Sequence, residues 1–147
     1  MAEALKKYEY GSPEWIAMVR GLVEEGLAGQ DLAWINFSFC EENTDPPAHL
    51  RRPGSDTIGF YVRVDNGEVE VGDHPIEGTT FKIVGDYTAM RAYALRPFPG
   101  ASPDPETAAL RQRMIAEGKM RVVGVRAEWP AVISNLDLHN RARMRTA

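Results

Sequence analysis

The chain has 147 residues, of which 44% are hydrophobic and 26% are charged, and its formal net charge is −4. A chain of this length buries roughly 68–70% of the surface that it exposes when unfolded, so it can fold without disulfides or a metal. Nucleic acid is excluded as the main partner, because phosphate binding needs a concentrated basic surface that this acidic chain lacks.

The first predicted element is a helix that begins after Ser12, a good capping residue, with Pro13 at its first position. Its apolar residues recur at spacings of three and four and form one stripe: Ile16, Val19, Val23 and Leu27. From Ala33 to Phe39 the apolar period changes to two, which predicts a strand with one buried face. Residues 41–56 have no period and contain several prolines, so we expect a long loop, either a lid or a plain connection.

A β-hairpin is predicted around Asn66-Gly67, the favoured pair for a two-residue type I′ turn. Alternating apolar residues flank this pair on both sides. The turn opposes Val64 to Val69 and Val62 to Val71, so the apolar residues of both strands share one face. Pattern and turn chemistry therefore indicate the same register.

The second half of the chain alternates predicted strands and helices. A strand over Thr79 to Val84 leads into a helix capped by Asp86, and a proline-rich break follows from Arg96 to Pro103. Asp104 and Pro105 begin the next helix, and Gly118 ends it. The apolar stripe predicted for that helix consists of Leu110, Met114 and Ile115.

The last two predicted elements are a strand over Lys119 to Val125 and a final helix with Pro130 in its first turn. The apolar side of that helix is predicted to carry Trp129, Val132, Ile133 and Leu136. The resulting order is helix, strand, hairpin, strand, two helices, strand, helix. We therefore predict an α+β fold with a largely antiparallel sheet of about five strands, covered by about four helices. No repeat or linker divides the chain, so we expect one domain over residues 1–147.

Two short segments carry a resemblance to a known family. In residues 79–87, Thr-Thr-Phe-Lys-Ile-Val-Gly-Asp-Tyr, a strand passes directly into a helix. In residues 118–124, Gly-Lys-Met-Arg-Val-Val-Gly, one glycine closes a helix and a second ends a basic-apolar strand. Both segments resemble the sterol carrier protein 2 family of lipid-binding domains. The resemblance implies an apolar tunnel between sheet and helices, and a lipid, acyl chain or sterol-like metabolite as the hydrophobic ligand.

A lipid site needs apolar walls and a few polar anchors, with no catalytic signature. The predicted walls are Phe37, Phe39, Phe60, Phe81, Met90, Tyr93, Met114, Met120 and Trp129. For each of these residues the alternative is that it fills a solid core. Arg51 and Arg52 are candidates for meeting a ligand head group, with exposed solubilising charge as the alternative.

No catalytic residue, metal site or cofactor is predicted. The three histidines, His49, His74 and His139, lie far apart in sequence and lack the short spacings of zinc motifs. Cys40 has no partner for a disulfide and is expected to be a small, half-buried hydrophobic residue on a strand. No apolar run approaches the roughly 20 residues of a membrane-spanning helix, and the start lacks the apolar core of a signal peptide, which favours the cytoplasm.

Three function classes stay open at this point. A binding module predicts an enclosed apolar cavity. A small isomerase or hydratase acting on a hydrophobic substrate predicts a buried Asp or His that faces a pocket. An accessory subunit of a catabolic complex predicts a broad exposed apolar patch, with Trp15 and Trp34 as candidates. A homodimer or a partner enzyme would fit more than one of these classes.

Overall fold

A computed structural model describes residues 5–96 and 103–147; most of the predicted break from Arg96 to Pro103 lies outside them. The elements form a five-stranded mixed sheet and a set of helices, which confirms the α+β prediction. Short 3₁₀ turns lie at Ala48–Leu50 and Arg126–Glu128. In chain order the elements are α1 (Pro13–Leu27), β1 (Asn36–Thr44), β2 (Thr57–Asp65), β3 (Glu68–Gly72), β4 (Phe81–Asp86), α2 (Tyr87–Ala94), α3 (Pro105–Ala116), β5 (Met120–Val123), α4 (Ala131–Ser134) and α5 (Leu138–Arg143).

The strand order in the sheet is β3-β2-β1-β4-β5. Of the four strand pairs in this sheet, β1 with β4 is parallel and the other three are antiparallel. The predicted hairpin is confirmed, with Val64 opposite Val69 and Val62 opposite Val71. Asn66 and Gly67 both have positive φ, at 49° and 89°, as a type I′ turn requires.

The predicted starts of three helices are confirmed by their capping hydrogen bonds. The side chains of Ser12, Asp86 and Asp104 each accept a backbone N–H from the first turn of α1, α2 and α3. Pro13 and Pro105 occupy the first helical positions, where a missing N–H costs nothing. All four stripe residues of α1 are buried, so this helix packs as its period indicates.

The sheet has an inner face, which the helices cover, and an outer face. On β1 the odd-numbered residues face inward, with Phe37 and Phe39 at the start of the strand. On the outer face, the connection over residues 73–80 passes across β2 and β1 before β4 begins. His74 packs on the ring of Tyr61, and the Ile76 N–H donates to Cys40 Sγ at 3.4 Å. These contacts place the connection on the outer face of β2 and β1.

Polar side chains also hold the crossing connection on the outer face. Lys82 is nearly buried there and forms ion pairs with Glu42 at 3.0 Å and Glu77 at 2.8 Å. Arg52 donates to the backbone oxygen of Asp73, and so joins the loop over residues 45–56 to the crossing connection. These contacts fix the crossing connection to the sheet.

Several predicted boundaries were wrong. β1 continues to Thr44, so the irregular connection begins at Asp45 and not at Glu41. The single final helix is broken into α4 and α5, because Asp137 has a left-handed φ of 51°. Ile115 is 39% exposed and lies off the buried stripe of α3, whose buried side chains include Met114.

The two ends of the described chain are joined. Tyr8 pairs with Thr146 in a short parallel bridge, with the Tyr8 N–H donating to Arg145 O at 2.9 Å. The Trp15 indole N–H donates to Thr146 Oγ1 at 2.9 Å, which holds this join against α1. Within residues 5–96 and 103–147, no helix is long and apolar enough to cross a membrane.

Candidate ligand site

A group of aromatic side chains meets between the inner face of the sheet and the chain after β5. We call it the aromatic cluster, and it consists of Phe37, Phe39, Phe81, Trp129 and His139. The Trp129 ring lies over the sheet, with its centroid 4.9, 5.5 and 5.1 Å from those of the three phenylalanines. Phe39 and Phe81 stack at 6.0 Å across the parallel strand pair, so the sheet contributes a continuous aromatic surface.

Trp129 packs on this aromatic surface and is also partly exposed to solvent. It follows a 3₁₀ turn and precedes Pro130, and its side chain is half-buried. The guanidinium of Arg126 lies 3.6 Å from the centroid of its ring, a cation–π contact. The Trp129 Nε1 atom is buried and has no hydrogen-bond partner among the described residues. Burying such a donor unpaired costs roughly 1–3 kcal/mol.

His139 joins the cluster from α5, with its ring 5.7 Å from both Phe39 and Trp129. Burial lowers the pKa of its imidazole from the ordinary 6.5 to about 3, and the positive charges of Arg143 and Arg126 add to this effect. The imidazole is therefore neutral at pH 7 and behaves as another aromatic ring of the cluster.

Polar side chains occupy the other end of the inner face of β1. We call them the polar cluster, and it consists of Tyr10, Glu41, Asn43 and Arg143. The Tyr10 hydroxyl donates to Asn43 Oδ1 at 3.1 Å, and the Tyr87 hydroxyl donates to Tyr10 O at 2.6 Å. Each member is at most 9% exposed.

Glu41 is the acid of the polar cluster. Burial raises the pKa of its carboxyl from 4.5 to about 7, against the lowering effects of a hydrogen bond with Tyr10 and of the Arg143 charge. The Arg143 guanidinium also lies over the Tyr93 ring, 4.4 Å from its centroid. The carboxyl thus changes its charge near neutral pH while it is enclosed in the core.

The structure brings the nine predicted wall residues into or against one core. Seven are buried, and Tyr93 and Trp129 are half-buried. Phe60 reaches the aromatic cluster through Phe39, at 5.7 Å between centroids. Their role as the walls of a ligand site stays a prediction.

The apolar tunnel also stays a prediction. Two surface clefts, of about 550 and 390 Å³, lie at the hairpin end of the sheet. Both are lined mainly by polar side chains such as Arg63 and Asp65, and of the nine wall residues only Phe37 reaches one of them. In the described part of the molecule, the predicted walls pack on one another.

The other residues that the sequence singled out lie outside the aromatic cluster and the polar cluster. Arg51 and Arg52 donate to backbone oxygens of Pro46 and Asp73, so their side chains hold loops together. Trp15 is buried in the core, which removes it from any exposed patch, whereas Trp34 is 91% exposed. Cys40 lies on a strand, β1, as expected, but it is fully buried where half-burial was predicted. Among the described residues, no group of three or more His, Cys, Asp and Glu could hold a metal ion.

Sequence reasoning missed Glu41, His139 and Arg143. The signal for Glu41 was present, because continuing the alternation of β1 past Phe39 places residues 41 and 43 on the inner face. His139 and Arg143 carried no such signal. Their positions depend on the break at Asp137, which separates α5 from α4.

Comparisons with known proteins bear on the fold. No family model matches the chain, and no curated protein matches it in sequence. A conserved hypothetical protein of Thermus thermophilus, described as a candidate sterol carrier protein, is 12% identical, with a TM-score of 0.52 over 100% of this chain and 96% of that one. A crystal structure of sterol carrier protein 2 is 13% identical, with a TM-score of 0.50 over 92% and 98%. The chain therefore has a sterol carrier protein 2-like fold.

Proposed function

We propose that the protein binds a hydrophobic small molecule, a lipid, acyl chain or sterol-like metabolite, between the inner face of its sheet and the chain after β5. The observation that carries the proposal is the environment of Trp129. Its ring covers a surface of three phenylalanines that the sheet holds in place, and its own N–H is buried without a partner among the described residues. An apolar ligand would take the place of this ring.

The exchange of Trp129 for a ligand is physically reasonable. When the indole leaves the cluster, its N–H regains hydrogen bonds to water, which offsets part of the cost of exposing the ring. The elements that carry Trp129 are short: a 3₁₀ turn of three residues before it and α4 of four residues after it. Short helices with few internal hydrogen bonds open at a lower free energy than the sheet does.

The fold supports a binding role by analogy. One structure of similar fold is of sterol carrier protein 2, and another is of a candidate sterol carrier protein. Fold alone does not give function, so the proposal depends on the aromatic cluster and uses the fold as support. A cytoplasmic location, and a homodimer or a partner enzyme, stay predictions.

Catalysis has weaker support. A general base works best with a pKa near the working pH, and His139, with a pKa of about 3, lies far below it. Glu41 has a suitable pKa, but Tyr10 and the Arg143 charge already engage its carboxyl. Binding therefore accounts for more of the site than acid-base chemistry does.

The proposal is tested by native mass spectrometry and binding titration. The purified protein is examined before and after organic extraction, then titrated with 1-decanol, palmitate and cholesterol. We expect an apolar species to co-purify, to be lost on extraction, and to be replaced by at least one of these probes. A clean apo mass with no binding of any probe would contradict the proposal.

Two matched tryptophan variants locate the site. Trp129→Ala removes the ring that a ligand must displace, so we expect about tenfold tighter binding of the same probe, equivalent to about 1.4 kcal/mol. Trp34→Ala removes an exposed indole and should leave binding unchanged. Equal affinities of the two variants would place the ligand elsewhere.

A further inference from the structure

Arg126 lies on the ring of Trp129 and is the exposed partner of that contact. Its guanidinium carbon is 3.6 Å from the centroid of the ring. The two residues belong to one 3₁₀ turn, in which the Trp129 backbone N–H donates to Arg126 O at 3.1 Å. Arg126 is exposed, whereas Trp129 is half-buried. A positive charge therefore lies at the point where the aromatic cluster meets solvent.

No ion pair neutralises the charge of Arg126 within residues 5–96 and 103–147. Arg52 and Lys82, by contrast, pair with carboxylates on the outer face. Partial burial on the ring lowers the pKa of the Arg126 guanidinium, and the charge of Asp137 acts on it in the opposite direction without forming an ion pair. Arginine is effectively always protonated in proteins, so Arg126 stays a cation at neutral pH.

Two kinds of hydrogen-bond donor meet here without an acceptor in the described part of the chain. Trp129 Nε1 is buried and has no partner, and the Arg126 guanidinium donates to no protein oxygen. A carboxylate has about four acceptor sites, so one such group can accept from both donors. Bonds from a guanidinium to a carboxylate are charge-assisted and stronger than neutral ones. The pair of donors is therefore suited to an anion.

We propose that Arg126 and the indole N–H of Trp129 bind the anionic head group of an amphipathic ligand, whose tail takes the place of the Trp129 ring on the aromatic cluster. The anion replaces the ring as the partner of the guanidinium and accepts the N–H that leaves the core. A neutral head group offers no such replacement for the lost cation–π contact. This inference rests on the proposed function, because it assigns the head group of the same ligand.

The test uses decanoate and 1-decanol, which share a tail and differ in the charge of the head. Calorimetric titration of the extracted protein at pH 8 measures both affinities. We expect decanoate to bind about tenfold tighter, equivalent to about 1.4 kcal/mol. In nitrogen-15 spectra, the Trp129 indole N–H should exchange with water more slowly in the decanoate complex than in the decanol complex, because the carboxylate accepts its hydrogen bond.

Two arginines that lie over aromatic rings supply the variant and its control. Arg126→Gln removes the charge, so we expect it to abolish the preference for decanoate. 1-Decanol should bind this variant at least as tightly as the parent, which also shows that the variant is folded. Arg63 lies over the Tyr61 ring on the outer face, 5.4 Å from its centroid, so Arg63→Gln removes an equivalent charge and should keep the preference.

The outcomes separate the head-group assignment from the proposed function. Equal affinities of decanoate and 1-decanol for the parent, or a preference that survives in Arg126→Gln, would overturn the head-group assignment alone. Binding of neither probe by the parent would overturn the proposed function with it.

Discussion

Glu41 is buried and His139 is half-buried beside the inner face of the sheet, and their pKa values shift in opposite directions. The folded protein holds a proton on Glu41 more tightly than the unfolded chain does, so this group lowers stability as pH rises from 4.5 to about 7. The unfolded chain holds a proton on His139 more tightly, so that group lowers stability as pH falls from 6.5 towards 3. Between pH 4.5 and 6.5 the two effects oppose each other.

Replacing Glu41 by glutamine removes the first effect. We expect Glu41→Gln to raise the free energy of unfolding by about 3 kcal/mol at pH 8 and to change it little at pH 4, since 2.5 pKa units separate the folded and unfolded values. Urea denaturation at the two pH values measures the difference. The Glu42→Gln control loses an ion pair and should not show this gain at pH 8. An equal effect of Glu41→Gln at both pH values would contradict the assigned pKa.

Replacing His139 by phenylalanine removes the second effect while keeping an aromatic ring in the cluster. The parent protein should lose about 2 kcal/mol between pH 6 and pH 4.5 through this histidine, and His139→Phe should not. Acid titration followed by circular dichroism should therefore show unfolding of the variant at a lower pH. A midpoint unchanged from that of the parent would show that His139 is not held neutral in the folded protein.

At the residue scale, local chemistry was predictable and long-range placement was not. Ser12, Asp86 and Asp104 cap helices because their side chains bind backbone groups three residues away, which a sequence pattern can show. His139 meets Phe39, a hundred residues earlier in the chain, through the packing of the whole domain. No spacing in the sequence encodes that contact.

At the scale of elements, the hairpin was predicted with its register because the turn residues and the apolar alternation of both strands indicate the same pairing. β1 was predicted too short because its second half carries Glu41, Glu42 and Asn43, residue types that are depleted in strands. These polar side chains are tolerated because partners from elsewhere bind them, such as Tyr10 for the buried Asn43 and Lys82 for the half-buried Glu42. The break in the final helix was not predicted, because a left-handed Asp137 has no strong sequence signal.

The close pairing of β1 and β2 gives a prediction at this scale. A Cβ added at Gly59 would lie 2.1 Å from the Glu41 backbone oxygen, so Gly59→Ala must displace one strand. We expect a loss of about 3 kcal/mol, measured by thermal or urea unfolding. Gly21→Ala, in α1 with nothing within 4 Å of the added carbon, is the control and should stabilise by about 0.5–1 kcal/mol. Similar effects of both substitutions would contradict the strand pairing.

At the scale of the whole molecule, element order was enough to predict the fold class. A strand that passes directly into a capped helix, and a second strand between glycines, led to a fold that two solved structures share at 12–13% identity. Element order did not predict whether the inner face of the sheet lines a tunnel or is solidly packed. Whether the nine predicted wall residues enclose a tunnel or pack on one another depends on where Trp129 lies, and that depends on the broken helices after β5.

The indole N–H signal of Trp129 reports directly on displacement of this ring by a ligand. In nitrogen-15 spectra of the extracted protein, the three indole signals are assigned with Trp129→Phe and Trp34→Phe, and 1-decanol is then added. We predict that the Trp129 signal shifts and exchanges faster with water, while the signal of the exposed Trp34 stays in place. Binding of decanol with an unchanged Trp129 signal would contradict the claim.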